Sequence, residues 1–262
     1  MNNTIKPTRS FDDLVKIMDI LRVECPWDRK QTHESLKDLM VEELYEAIDA
    51  IDQKDFDELR KELGDILLHV VFHCRMADEK DQFDIGDVIY GIQEKLIRRH
   101  PHVFGDTKVN GSAEVTRNWE SIKMKEKGRD SVLGGVPRTL PALLRAQRMQ
   151  EKAAAVGFDW PEHEDVWAKL EEELSEFRET IEANNREESE KEFGDILFSL
   201  VNVGRFWSLN SEDCLRLTNN KFHDRFQYIE KKLSEDGKTP TDVDLAEMDR
   251  YWEEAKTVNS KQ

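Results

Sequence analysis

The feature that most constrains this chain is an acidic pattern that occurs twice. Glu42-Glu43-Leu44-Tyr45-Glu46, followed by Glu62-Leu63-Gly64-Asp65, returns 130 residues later as Glu172-Glu173-Leu174-Ser175-Glu176, followed by Glu192-Phe193-Gly194-Asp195. One shift serves every acidic position, so the chain reads as a duplication in which each copy is a structural unit. Its 262 residues accommodate two domains of roughly 100 to 130 residues each.

Apolar spacing around both copies is helical. Phe11, Leu14, Val15, Met18 and Leu21 predict a first helix, which Cys25-Pro26-Trp27-Asp28 interrupts. A second helix runs from Glu34, and a third, from about Asp57 to Ala77, is apolar nearly all round and is expected to be buried. Ile85 to Arg99 forms a fourth, stopped by Pro101, and Val115 to Lys127 around Trp119 a fifth. The second half repeats this order in Ala142 to Ala155, Asp165 to Ala183, Glu188 to Trp207, Cys214 to Leu233 and Asp249 to Lys256. Glycine and proline concentrate between Gly128 and Pro141, so the expected division is 1–128, a linker 129–140 and 141–262. The expected fold class is all-α.

A charged fraction of 36% suits amphipathic helices with solvated outer faces. The net charge of −17 argues against a nucleic acid polymer bound over a broad surface, because each phosphate needs a nearby cation. Cys25, Cys74 and Cys214 form no zinc pattern and read as reduced thiols. Met1 to Ser10 lacks the layout of a signal peptide, and the longest apolar stretch, Ile66 to Cys74, is too short to span a membrane. The expectation is a soluble cytoplasmic protein with no membrane partner.

At 100° per residue, Glu43 and Glu46 lie within 60° of each other on one helix, as do Glu62 and Asp65 on the next. The apolar stripe favours Glu43 and Glu46 over Glu42 as inward-facing groups, and Glu173 and Glu176 over Glu172. Like charges so placed call for a cation between them. Carboxylate oxygens without cysteine or paired histidine suit a hard ion, Mg²⁺ with Mn²⁺ as substitute, which commonly bridges carboxylates to phosphates. The bland alternative is a solvated acidic helix face, and its repetition in both copies weighs against it.

Phosphates also need direct cations. Lys221 and Arg225 share a helix face, as do Lys95 and Arg99 in the first half, although either pair could simply serve surface acids. Trp119 and Trp252 could stack on a base or pack in a core. His69 and His73 read better as packed histidines than as ligands, given their apolar helix.

The motifs CPWD at Cys25 to Asp28, QT at Gln31-Thr32, EELYE at Glu42 to Glu46, ELGD at Glu62 to Asp65, RRHPHVF at Arg98 to Phe104 and GFDW at Gly157 to Trp160 resemble the tandem-domain MazG nucleoside triphosphate pyrophosphohydrolases. The resemblance implies two tandem MazG-like domains whose helices pair into four-helix bundles across a homodimer. It implies Mg²⁺-dependent cleavage of nucleoside triphosphates to monophosphate and pyrophosphate. Carried over, the metal carboxylates fall on Glu173, Glu176, Glu192 and Asp195, and nucleotide contacts on Lys169, Lys221, Arg225 and Trp252.

The copies differ in ways that bear on chemistry. The second half has Lys169 where the first has Leu39, Asn202 where it has Phe72, and Ser199 where it has His69. Lys169 and Asn202 suit a phosphate or sugar, whereas Leu39 and Phe72 suit packing. The main site is therefore expected in the second half, with a weaker one at Glu43, Glu46, Glu62, Asp65, Lys95, Arg99 and Trp119. Two competing readings are a di-iron carboxylate protein, which would need ExxH where this chain has ExxD, and an acidic helical scaffold without catalysis.

Overall fold

The structure is a computed structural model that describes residues 5–111, 114–115, 118–119, 122 and 131–259. Among these residues there are helices and no strands, as the periodicity requires. The chain divides into two compact units, Met1–Ser112 and Ala113–Gln262. Glu114, Val115, Asn118, Trp119 and Ile122 are helical, while the remainder of the helix expected up to Lys127 lies outside the described residues. Residues 131–140 carry bends and turns.

The first unit contains α1 (Phe11–Glu24), α2 (Lys37–Gln53), α3 (Phe56–Asp78), α4 (Ile85–Arg99) and the single turn α5 (Pro101–Phe104). α2 and α3 pack along each other across a very short connection. Lys54 closes α2 in the left-handed region (φ 58°), and Asp55 then caps α3 by accepting from the amides of Asp57 and Glu58. The C-terminal half of α3 is buried. Val71, Phe72 and Met76 form a core with Met18 of α1 and Leu36, backed by Leu14, Val15, Leu21 and Leu68.

The expectation that α3 is buried nearly all round holds only for that half. Leu63 is 54% exposed and Leu67 39% exposed, because α1 covers the later turns alone. α4 begins in a capping box of Asp84 and Asp87 and ends before Pro101. Its face of Val88, Ile89, Ile92 and Leu96 is exposed.

The second unit contains α6 (Ala142–Ala154), α7 (His163–Glu182), α8 (Arg186–Phe206), α9 (Ser211–Glu235) and α10 (Leu245–Asn259). The α7–α8 junction repeats that of α2–α3. Asn184 is left-handed (φ 53°), the counterpart of Lys54, and Asn185 caps α8 by accepting from the amide of Glu188. α9 starts three residues before the sequence suggested, because Asn210 accepts from the amides of Glu212 and Asp213.

α9 is tied to α6 at both N-terminal ends. Glu212 accepts from the Leu144 amide at 3.3 Å and Gln147 from the Ser211 amide at 3.1 Å, which uses donors that a helix start leaves open. Farther along, Ile229, Leu233 and Tyr251 form a core with Phe226, Val243, Met248 and Trp252. No described helix is long and apolar enough to cross a membrane.

Candidate active site

Each helix hairpin brings carboxylates together. In the second unit, oxygens of Glu173 and Glu176 on α7 and Glu192 on α8 all lie within 4.8 Å of one another. In the first, the converging set is Glu43 on α2 with Glu62 and Asp65 on α3. The fourth expected carboxylates are neighbours of these clusters: Glu46 acts on Glu62 and lies on the wall of a small acidic pocket, and Asp195 acts on Glu192 and lies on the wall of a cavity. Inward orientation also proves unequal. Glu173 is 6% exposed and Glu62 5%, whereas Glu46 and Glu176 are surface residues, because members of an i, i+3 pair straddle the edge of the buried stripe.

The electrostatics show how much a cation is needed. Burial, then the neighbouring Glu46, pushes the Glu62 carboxyl up to about 7. Glu192 is raised by burial and then by Glu176, Glu173 and Asp195. Ligands around an octahedral Mg²⁺ at about 2.1 Å lie no more than about 4.2 Å apart. All-carboxylate clusters whose oxygens lie within 4.8 Å of one another could hold a metal ion on drawing slightly closer.

The second cluster has a built-in cation. Lys169 Nζ lies 2.8 Å from Glu173 and 3.1 Å from Glu172, and the bond to Glu173 holds the ammonium well above its usual range. Beside it opens a cavity of about 550 Å³. Lys169, Glu173, Asp195, Ser199 and Asn202 lie on its wall, with Phe158 and Trp160 among its aromatic lining. Gly157 makes this possible with φ +90°, a conformation that favours glycine, as it turns the chain from α6 into the GFDW segment. Asp159 of that segment then grips Arg205 of α8, with Nη1 at 2.9 Å, and Arg205 in turn donates to Asn202.

Other expected nucleotide contacts lie elsewhere. Lys221 is exposed on α9, and the Arg225 guanidinium sits 5.3 Å above the Trp252 ring, which also meets Phe222 at 5.2 Å. Trp252 belongs to the α9–α10 core, and none of the three lines the cavity. In the first unit, Lys95 is exposed and Arg99 buried, while Trp119 falls within the second unit.

Sequence reasoning passed over Asp159, Trp160, Arg205 and Gln150 as site residues. GFDW was visible as a motif, but the grip of Asp159 on Arg205 spans 46 positions and no local spacing announces it. The first unit differs most at this place. Phe72, the counterpart of Asn202, is 3% exposed within the core, and His69, the counterpart of Ser199, is also buried. The first unit's acidic pocket, about 250 Å³, has Glu46, Asp49, Asp55, Glu58 and Glu62 on its wall and no lysine or arginine.

The MazG nucleotide pyrophosphohydrolase domain matches residues 31–104 and 161–229, which contain the two carboxylate hairpins. The chain belongs to the MazG family. It is 48% identical over 250 residues to the nucleoside triphosphate pyrophosphohydrolase/pyrophosphatase MazG of Thermotoga maritima, covering 94% of this chain and 95% of that protein. It is 42% identical to the nucleoside triphosphate pyrophosphohydrolase of Escherichia coli K12, over 94% of this chain and 97% of that one. It is also 51% identical to the uncharacterized protein YabN of Bacillus subtilis, over 90% of this chain but 49% of YabN. With end-to-end relatives that are MazG enzymes, the non-catalytic scaffold reading falls away.

Proposed function

We propose that the chain is a Mg²⁺-dependent nucleoside triphosphate pyrophosphohydrolase that converts NTPs or dNTPs to monophosphates and pyrophosphate, with its main site in the second unit. The carrying observation is the juxtaposition of Glu173, Glu176 and Glu192 with Lys169 and a cavity of about 550 Å³. The names of the full-length relatives support the reaction class.

Glu173, Glu176 and Glu192 would hold the ion, with Asp195 reaching it from the cavity wall. When bound, Mg²⁺ supplies positive charge for the polyphosphate and Lewis acidity toward the attacking water. Lys169, paired here with Glu173, would serve a phosphate, where its compact charge would offset that developing on the leaving pyrophosphate. Phe158 and Trp160 offer exposed aromatic surface on the cavity wall. Lys221, Arg225 and Trp252 contact the nucleotide in an assembled homodimer, in which helices of two copies form four-helix bundles and cover the exposed Val88, Ile89, Ile92 and Leu96. The expected cellular role is clearance of unwanted nucleotides in the cytoplasm.

The test measures pyrophosphate release from a nucleoside triphosphate mixture with Mg²⁺ in Glu176→Gln and Glu46→Gln. Glu176→Gln should lose about a hundredfold or more in rate, and Glu46→Gln should stay within about threefold of the parent. The reverse result would move the main site to the first unit.

A further inference from the structure

The Arg205 guanidinium of α8 is engaged on two edges at the wall of the second unit's cavity. One edge forks onto Asp159, with Nη1 2.9 Å from Oδ2 and Nη2 on Oδ1. The adjacent edge meets a single oxygen, Asn202 Oδ1, through Nε at 3.0 Å and Nη2 at 2.8 Å. Its Cζ also lies 4.7 Å from the centre of the Phe206 ring. Asp159 is fixed in turn, because its Oδ1 accepts from the Trp160 amide at 3.0 Å. Only 14% of the Arg205 side chain is exposed, so these charge-assisted bonds are little screened.

Guanidinium nitrogens can only donate, so the Asn202 amide must turn its oxygen toward Arg205. The other end, Nδ2, is thereby left as a donor. Among the described residues Nδ2 has no hydrogen-bond partner and is not shielded from solvent, and Asn202 lies on the cavity wall. Asp195, Phe198, Ser199, Asn202 and Arg205 follow helical spacing and line the same cavity, so they form one stripe of α8. Seven residues of helical rise put Asn202 roughly 10 Å along that stripe from Asp195 at the carboxylate end. A triphosphate held at that end extends its nucleoside half toward Asn202.

The first unit keeps the arginine without this arrangement. Arg75, 130 residues before Arg205, pairs with Asp19 of α1 at 3.0 Å and with Asp78 at 2.6 Å, and Phe72 stands where the second unit has Asn202. The same residue type ties helices together in one copy and holds an amide at a cavity in the other.

We infer that Asp159 and Arg205 are positioning residues of the second unit: Asp159, acting through Arg205, holds Asn202 with its amide NH2 available to the cavity, where it donates to an acceptor on the nucleoside half of the substrate. The inference rests on the pyrophosphohydrolase reading of this cavity.

The test uses the full-length protein with Mg²⁺, a nucleoside triphosphate as substrate and inorganic triphosphate, which has no nucleoside, as competitor. Asp159→Asn should raise KM about fivefold or more and leave kcat within about twofold, the pattern of a lost contact made equally in ground and transition states. The inhibition constant of inorganic triphosphate should stay within about twofold of the parent's. Asn202→Ala, which leaves the Asp159–Arg205 pair in place, should show the same profile. In that background Asp159→Asn should add less than about twofold, because a residue that acts through another is not additive with it. If Asp159→Asn does not fold, Arg205→Lys, which keeps a charge but cannot fork onto both partners, takes its place in the cycle.

An undiminished effect in the Asn202→Ala background would show that the pair does not act through Asn202 and overturn the inference. So would an unchanged KM in either single variant, or an equal weakening of inorganic triphosphate, which marks a strut for the whole cavity. A parent protein that releases no pyrophosphate from any nucleotide would reject the enzymatic reading itself, and the positioning role with it.

Discussion

Seven residues beyond the ExxD aspartate, the first unit carries Phe72 and the second Asn202, and the two helix hairpins diverge from there. Phe72 is 3% exposed and fills space between α1 and α3 with Met18, Leu36, Val71 and Met76. Asn202 leaves that space open, and the resulting cavity carries Lys169, Glu173 and Asp195 on its wall. Both hairpins keep close-set carboxylates that could hold a cation, while the cavity beside them is about 550 Å³ in the second unit and the acidic pocket about 250 Å³ in the first. The duplication thus offers one copy in which this interior volume is filled by a side chain and one in which it is left open.

The comparison predicts opposite consequences for changes at matched positions. The largest effect should come from Phe72→Ala, which empties a filled core and should cost about 3–5 kcal/mol of stability, measured by urea unfolding, while leaving pyrophosphate release per folded molecule intact. Asn202→Phe should do the reverse, lowering kcat/KM by about a hundredfold with little change in unfolding midpoint. If Asn202→Phe stays active, the cavity is not where the nucleotide sits.

A smaller effect is expected at the lysine. Lys169→Met should lower kcat/KM by about tenfold or more, read from initial rates at saturating Mg²⁺. Its counterpart Leu39, 38% exposed, should tolerate methionine without change in rate. An equal loss from Leu39→Met would erase the functional difference between the copies.

The smallest expected effect tests the first unit's cation demand through Glu62. Its folded-state carboxyl, at about 7, lies above the ordinary 4.5, so its contribution to stability is fully present below about pH 4.5 and is lost as pH rises through 7. Metal-free Glu62→Gln should therefore gain in melting temperature over the parent as pH increases from 5 to 8. Mg²⁺ should narrow that gap by stabilising the parent. A gap independent of pH would show that Glu62 does not titrate in this window.

Much of the helical order was legible, because apolar spacing and proline stops act within a few turns. Burial was less so. α3 looked buried throughout, yet Leu63 and Leu67 are exposed, since a periodic pattern records apolarity and not which neighbour covers it. Glu43 and Glu173 were expected inward, and neither is exposed. Glu46 and Glu176 were expected with them and lie at the surface, because a 60° sector is wide enough to cross the rim of a helix face.

The duplication, the all-α class, the acidic hairpins and the membership of the MazG family follow from the sequence, because each depends on residue type at short, repeated spacing. Tertiary structure decided that Glu173 is buried while Glu176 on the same helix is exposed, and that Asp159, 46 residues from Arg205, orients Asn202 through it. It also decided that Gln150 of α6 is buried and donates to the Phe198 carbonyl of α8. Those facts depend on which side chains from distant helices meet and on the space between them, and no spacing along the chain encodes either.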